Sequence, residues 1–146
     1  MSVLDEYKND FLLFVESGFI AINQTDEDST LKLFKAAELL DKTNPLIKIG
    51  FGYLALHKLE LKKAITAFEE ILKKDPKNDM AKAFLGIAIS MTPKNMLKGE
   101  KLLEETLQSD DKEVKKLATI ALDFVDKFIK KEPTPVEPKK RVNKYD

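Results

Sequence analysis

Three short segments that begin with glycine recur in this chain at a constant interval. Gly18, Gly52 and Gly86 each start a run of small and apolar residues: Gly-Phe-Ile-Ala-Ile, Gly-Tyr-Leu-Ala-Leu and Gly-Ile-Ala-Ile-Ser. A fixed period of about 34 residues is typical of stacked structural repeats, in which each unit buries its apolar face against its neighbours. The recurrence therefore predicts a row of similar units, and three such units are enough to form a stable stack.

The middle unit carries the clearest pattern, with Gly52, Ala64, Phe68 and Pro76 in order along the chain. Small residues at Gly52 and Ala64 allow two helices to approach closely, and Phe68 fills the space between the helix pair and its neighbour. Pro76 ends the second helix, because it lacks an N–H and disfavours helix at the residue before it. The spacing predicts a helix–turn–helix unit.

The other two units repeat this pattern less completely. In the first unit we align Ala37 with the phenylalanine position and Pro45 with the closing proline. In the third unit Gly99 and Leu103 take the places of the small residue and the phenylalanine, with one residue inserted, and Asp111 replaces the proline. The pattern thus extends over roughly positions 11–112.

This spacing resembles that of the tetratricopeptide repeat, a helix–turn–helix unit of about 34 residues. The resemblance implies an all-α fold in which three repeats form a short right-handed superhelix. We expect an N-terminal lead-in at residues 1–10, the three repeats at 11–110 and a capping helix at 111–131. Residues 132–146 are rich in proline and lysine, so we expect a disordered tail there.

Apolar periodicity and turn residues place the individual helices. The predicted helices cover about 11–23, 29–42, 45–57, 60–74, 79–91, 93–108 and 111–131. The expected N-caps are Asp28 or Ser29, then Asp79, Thr92 and Asp110, because their side chains can accept hydrogen bonds from the first helical turn. Pro45 is expected in the first turn of its helix.

Composition excludes several classes of function. The chain has 146 residues, with 25 acidic and 25 basic side chains, no cysteine and a single histidine, His57. A balanced charge predicts no nucleic-acid surface, which would need a basic face. Without a second histidine, a cysteine or a glycine-rich phosphate loop, we expect no enzymatic activity, no cofactor and no metal site.

The N-terminal residues and the apolar runs indicate a cytoplasmic protein. Residues 1–10 are acidic and polar, unlike a secretory signal peptide. The longest apolar run, Phe11 to Ile22, contains Glu16 and is too short to cross a bilayer. We therefore expect no membrane insertion.

By resemblance to tetratricopeptide repeats, the second, fifth, ninth and twelfth positions of each unit line a concave groove. With the recurring glycines at the eighth position, the predicted groove residues are Leu12, Val15, Phe19, Ile22, Leu46, Ile49, Tyr53, Leu56, Met80, Ala83 and Ile87. These eleven are apolar or aromatic, and the twelfth position that the rule gives, Ser90, is polar. The helices at 11–22 and 45–56 are apolar nearly all round, which predicts burial on every side. We expect the groove to bind an amphipathic or hydrophobic helical segment of a partner protein. The alternative is that the protein covers the groove itself, with residues 1–10, the helix at 111–131 or a second copy.

A small protein of three tetratricopeptide repeats with an apolar groove resembles the type III secretion chaperones, of the needle-subunit or translocator type. The resemblance implies a cytoplasmic chaperone that holds an aggregation-prone secreted subunit in the groove, with a second small co-chaperone as a further partner. Two alternatives remain open: a general adaptor or scaffold of the tetratricopeptide class, and a homodimeric structural protein. A homodimer could also form when the partner is absent.

Overall fold

The computed structural model describes residues 3–130, and all regular structure within that range is helical, without a strand. The expected all-α fold is thus confirmed, whereas the predicted disordered tail at 132–146 lies outside the described residues. The helices are α1 (Val3–Glu6), a 3-10 turn (Lys8–Asp10), α2 (Phe11–Asn23), α3 (Glu27–Leu40), α4 (Pro45–His57), α5 (Leu61–Lys74), α6 (Asp79–Ser90), α7 (Met96–Thr106) and α8 (Lys112–Phe124). A π-helical segment (Val125–Lys130) follows α8 directly.

The helices from α2 to α7 form three pairs: α2 with α3, α4 with α5, and α6 with α7. The second helix of one pair packs on the first helix of the next, as α5 does on α6, and α7 packs on α8. The result is a stack of pairs in chain order, with α8 at its C-terminal end. The period of the sequence is therefore visible in the packing, while the assignment to tetratricopeptide repeats stays a prediction.

The recurring glycines contact large side chains of the paired helix. A Cβ atom on Gly52 would lie 2.6 Å from the Phe68 ring, and one on Gly18 would overlap the Phe34 ring. Both rings are fully buried. The separation from Gly18 to Phe34 equals that from Gly52 to Phe68, so Phe34 is the first-unit equivalent of Phe68, and our alignment with Ala37 was wrong. Ala37 lies one helical turn further on and packs in a separate cluster that includes residues of α4.

The third unit has the predicted insertion. A Cβ atom on Gly86 would lie 2.9 Å from the Leu103 side chain and 3.0 Å from the carbonyl oxygen of Gly99. A Cβ atom on Gly99 would in turn lie 2.5 Å from the backbone nitrogen of Ser90. Gly99 and Leu103 therefore occupy the close-approach and large-residue positions of this pair, as predicted.

The start of α4 at Pro45 agrees with prediction, whereas the start predicted at Pro93 is wrong, because Pro93 lies in the turn before α7. Other starts differ where several capping residues are adjacent. Pro45 begins α4 as expected, after Asn44, whose side chain accepts from the Leu46 N–H. The N-cap of α3 is Asp26, two residues before the expected Asp28, and its carboxylate accepts from the Ser29 N–H at 3.0 Å. A capping side chain must reach a free N–H of the first turn, and the backbone conformation decides which of several neighbouring acceptors does so.

At α6 and α8, too, the N-cap is a neighbour of the predicted residue. The N-cap of α6 is Asn78 instead of Asp79, and that of α8 is Asp111 instead of Asp110. Thr92 does not cap α7, which begins only at Met96. The Thr92 hydroxyl instead donates to the Ile89 carbonyl at 2.6 Å, at the end of α6.

Candidate partner-binding face

The predicted groove residues lie on α2, α4 and α6, the first helices of the three pairs, but their exposure differs. Buried members are Val15, Ile22, Ile49 and Ala83. Half-buried members are Phe19, Leu46, Tyr53, Leu56, Met80 and Ile87, and Leu12 is exposed. The four buried side chains belong to the core, so contact with a partner at this face falls to the other seven.

Three aromatic side chains form a row across these first helices. The ring centroids of Phe19 and Tyr53 are 5.3 Å apart, and those of Tyr53 and Phe84 are 5.5 Å apart. The Tyr53 hydroxyl donates to Asn23 Oδ1 at 2.6 Å, and Phe84 stacks on the buried Phe68 ring with centroids 5.6 Å apart. These contacts hold the row in place while leaving each of its three residues only half-buried.

An apolar pocket of about 250 Å³ lies at the C-terminal end of the stack, between α6, α7, α8 and the π-helical segment. Its lining residues are Ile87, Ser90, Met91, Leu103, Leu117, Ile120, Ala121, Phe124, Val125 and Ile129. The Ser90 hydroxyl is buried and donates to the Gly86 carbonyl at 2.7 Å, so it offers no free donor to a ligand. Met91, Ile120 and Phe124 are exposed. The pocket is therefore suited to an apolar group.

Helix α8 takes the position of a fourth first helix beside this pocket. The N-caps of α2, α4, α6 and α8 are Asp10, Asn44, Asn78 and Asp111, so the spacing of the repeat continues into α8 with one residue fewer. In this register Ile120 is the equivalent of Ile87, and Phe124 is the equivalent of Met91. The pocket is thus lined by equivalent positions on two successive first helices.

Of the exposed and half-buried lining residues, the predicted groove included Ile87 and missed the others, which are Met91, Leu117, Ile120, Ala121, Phe124 and Ile129. The residues of α8 were missed because 111–131 was expected only as a capping helix. Met91 was missed because the predicted groove included the ninth position of each unit, where Ile87 stands, but not the thirteenth, where Met91 stands. The signal that could have found them is the continued period, since apolar residues stand on α8 at the equivalents of both Ile87 and Met91.

The turns between paired helices carry a network of ion pairs. Lys58 Nζ lies 3.0 Å from Glu27 Oε1 and 3.2 Å from Glu60 Oε1, and Lys63 Nζ lies 2.8 Å from Glu60 Oε2. The hydrogen bond to Glu27, and then the one to Glu60, raise the pKa of Lys58. The bonds from Lys63 and Lys58 lower the pKa of the Glu60 carboxyl. This network links the turn of the first pair to the turn of the second.

Other chemistry that a site could offer is limited in the described part of the chain. Among residues 3–130, no group of histidine, aspartate and glutamate side chains is placed to hold a metal ion. In the same range, each buried side-chain nitrogen or oxygen has a hydrogen-bond partner. His57 is exposed, and its ring centroid lies 6.5 Å from that of Tyr53.

Comparison with family models, with curated proteins and with solved structures finds no match for this chain. In the range that the structure describes, none of the helices combines the length and the apolar character that crossing a membrane requires.

Proposed function

We propose that this protein binds an apolar helical segment of another protein along the face formed by α2, α4, α6 and α8. The observation that carries the proposal is the apolar pocket beside Ile87, whose lining includes the exposed Met91, Ile120 and Phe124. A volume of about 250 Å³ lies below the range of about 300–1,000 Å³ typical of drug-sized ligand sites. A pocket of this size suits one large side chain of a partner.

The aromatic row supplies the second half of the proposed contact. Phe19 and Tyr53 lie on α2 and α4, while the pocket is lined by α6 and α8, so a partner helix that crosses the first helices can contact both. Burial of one large apolar side chain stabilises a complex by roughly 1.5–3 kcal/mol. Association costs about 4–15 kcal/mol, so a single anchor in the pocket is not enough. Useful affinity requires several apolar side chains on one face of the partner, as an amphipathic helix provides.

A narrower form of the proposal is a chaperone that keeps a secreted helical subunit from polymerising, as in type III secretion. Its support is the resemblance of the repeat pattern and the apolar character of the face. The general adaptor is the alternative, and the two differ in what the bound protein does when it is released. A chaperone's client aggregates or polymerises without it, whereas an adaptor's partner stays soluble. Neither form involves an enzymatic step.

Photo-crosslinking in the native cell tests the proposed face directly. A photoreactive phenylalanine analogue replaces Ile120 or Phe124 in the full chain, and crosslinked proteins are identified by mass spectrometry. Matched controls carry the analogue at Leu39 or Leu97, which are 62% and 70% exposed on α3 and α7. We expect one defined protein at the two test positions and not at the controls. Equal capture at all four positions, or none at Ile120 and Phe124, would contradict the proposal.

The identified partner then distinguishes the two forms. For a secretion chaperone we expect a small helical protein that is found outside the cell. Purified alone it should form polymers that light scattering detects, and an equimolar amount of this chain should suppress them. A partner that stays monomeric without the chain would support the adaptor.

A further inference from the structure

The described part of the chain ends at the edge of the apolar pocket. Ile129 lines the pocket, and Lys130, the last described residue, forms an ion pair with Glu100 of α7. Residues 131–146 continue from this point. They are therefore tethered beside the pocket in every copy of the chain.

The pocket and its margin offer apolar and aromatic surface but little polar chemistry. Phe124 lines the pocket, and its ring centroid lies 5.2 Å from that of Phe128, four residues further along the chain. Both rings are exposed. Among the lining side chains, only Ser90 carries a hydroxyl, and that hydroxyl already donates to the Gly86 carbonyl. A suitable occupant is therefore apolar and leaves few backbone N–H groups without a partner.

The sequence that follows the described residues has this chemistry. Residues 132–138 read Glu-Pro-Thr-Pro-Val-Glu-Pro, and proline carries no backbone N–H. Val136 is the first aliphatic side chain after Ile129. Closely spaced prolines favour an extended polyproline conformation, which costs little entropy to order and which aromatic-lined grooves bind in other proteins.

We propose that residues 133–138 of the same chain, the proline-rich segment, dock on this surface. Their proline rings pack on Phe124 and Phe128, and Val136 enters the pocket. The chain between the last described residue and Val136 can span about 20 Å, and the pocket that Ile129 lines has a volume of only about 250 Å³, so Val136 can reach it. A short tether holds the segment at an effective concentration on the order of millimolar. At micromolar protein a second copy supplies far less, which favours the segment of the same chain as the occupant.

Docking of the proline-rich segment competes with the partner binding proposed above, and this consequence rests on the proposed function. A partner side chain and Val136 cannot occupy one pocket at the same time, so the partner must displace the segment. The docking itself needs no partner. A failed docking test would therefore leave the proposed function standing, and a failed search for a partner would leave the docking result unchanged.

Alkylation of a single thiol measures how often the pocket is covered. The chain has no cysteine, so Ile120→Cys places one thiol in the pocket lining of the full chain. Adding Val136→Asp should raise the rate of alkylation by iodoacetamide about fivefold, because a charged side chain does not enter the pocket and the thiol is no longer covered most of the time. Val142→Asp places the same charge further along the chain and should leave the rate unchanged. No rise with Val136→Asp, or an equal rise with Val142→Asp, would overturn the proposal.

Disulfide formation identifies the chain that supplies the proline-rich segment. In the double variant Ile120→Cys/Val136→Cys, mild oxidation should form an intramolecular disulfide about ten times faster than in the control Leu97→Cys/Val136→Cys. Leu97 is exposed on α7, one helical turn from Glu100, the residue that pairs with Lys130. A segment without a preferred site would therefore reach both thiols with similar ease. Equal rates would refute the docking. Disulfide-linked dimers of the first variant would show that a second copy supplies the segment, which would refute docking within one chain.

Discussion

Glycines in the middle of helices are the residues on which the pairing of these helices depends. A glycine inside a helix is unfavourable by about 1 kcal/mol relative to alanine, so helix propensity alone disfavours Gly52. The glycine is nevertheless required, because the Phe68 ring occupies the space that a Cβ atom at Gly52 would need. The Gly18–Phe34 contact repeats the arrangement in the first pair.

When Gly52 is replaced by alanine, helix propensity and packing predict changes of opposite sign in the free energy of unfolding. Propensity predicts a gain of about 1 kcal/mol in the free energy of unfolding. Overpacking against a ring at 2.6 Å predicts a loss of about 1–3 kcal/mol in the same free energy. We expect the loss from overpacking to exceed the gain from propensity. Urea unfolding monitored by circular dichroism measures the change. In a chain that also carries Phe68→Leu, with its smaller side chain, Gly52→Ala should lower the free energy of unfolding by less than half as much. If Gly52→Ala alone stabilised the protein, the close contact with Phe68 would be disproved.

At the scale of single helices, side-chain caps decide where each helix begins. Asp26, Asn44, Asn78 and Asp111 each accept from a backbone N–H of the first turn. At Asp26 the Ser29 hydroxyl also donates, at 2.6 Å, and this bond and the one from the Ser29 N–H lower the pKa of the carboxyl below its ordinary value of 3.8. The ionised carboxylate therefore favours the folded chain.

This cap predicts a pH dependence with a definite sign. Because the pKa of Asp26 is lower in the folded than in the unfolded chain, its contribution is fully present above pH 3.8 and is lost as the pH falls through the folded value. Asp26→Ala should lower the free energy of unfolding at neutral pH, and the difference from wild type should shrink below pH 3.8. Asp26→Ser keeps an acceptor that does not titrate, so its difference from wild type should be small at neutral pH. Urea unfolding at neutral pH and below pH 3.8 measures these differences. If Asp26→Ala lowered the free energy of unfolding by the same amount at both pH values, the proposed role of the cap would be contradicted.

At the scale of the whole molecule, the two ends of the described stack differ. The face of α2 at one end is apolar and bare at Leu13 and Ile20. At the other end α8 buries Val114 and Ala118 in the stack, and its opposite face is exposed. Lys130 forms an ion pair with Glu100 of α7, which ties the π-helical segment back to the stack. The C-terminal end of the described stack is therefore covered by α8, whose exposed side carries charged residues and also the apolar Ile120 and Phe124.

Val114→Asp tests whether α8 is part of the core or an attached element. Val114 is 1% exposed, so the substitution buries an unpaired carboxylate and should lower the free energy of unfolding by on the order of 3 kcal/mol. Ile120→Asp introduces the same group on the same helix at a side chain that is 60% exposed, and should change stability little. Thermal unfolding of both variants, followed by circular dichroism, measures the difference. Equal melting temperatures would show that α8 does not contribute to the core.

Much of the fold could be predicted from local chemistry. The repeat period, the three close-approach glycines and the start of α4 at Pro45 all depend on residues near one another in the chain or on its own repetition. The equivalence of Phe34 and Phe68 was also readable, since each follows its glycine by the same separation. It was missed because Ala37 and Pro45 reproduce the spacing between Phe68 and Pro76.

The candidate site depended on the tertiary structure. Helical periodicity identifies an apolar helix such as α4, but it does not say which of its sides another helix covers, and Ile49 is buried while Tyr53 stays half-buried. The pocket exists because α8, which lies well beyond Ile87 in the chain, packs beside α6 and α7. The sequence by itself determined that the described chain is helical and repetitive, because those properties follow from local residue patterns. Only the tertiary structure decided which apolar residues remain accessible, because burial depends on neighbours that are distant in sequence.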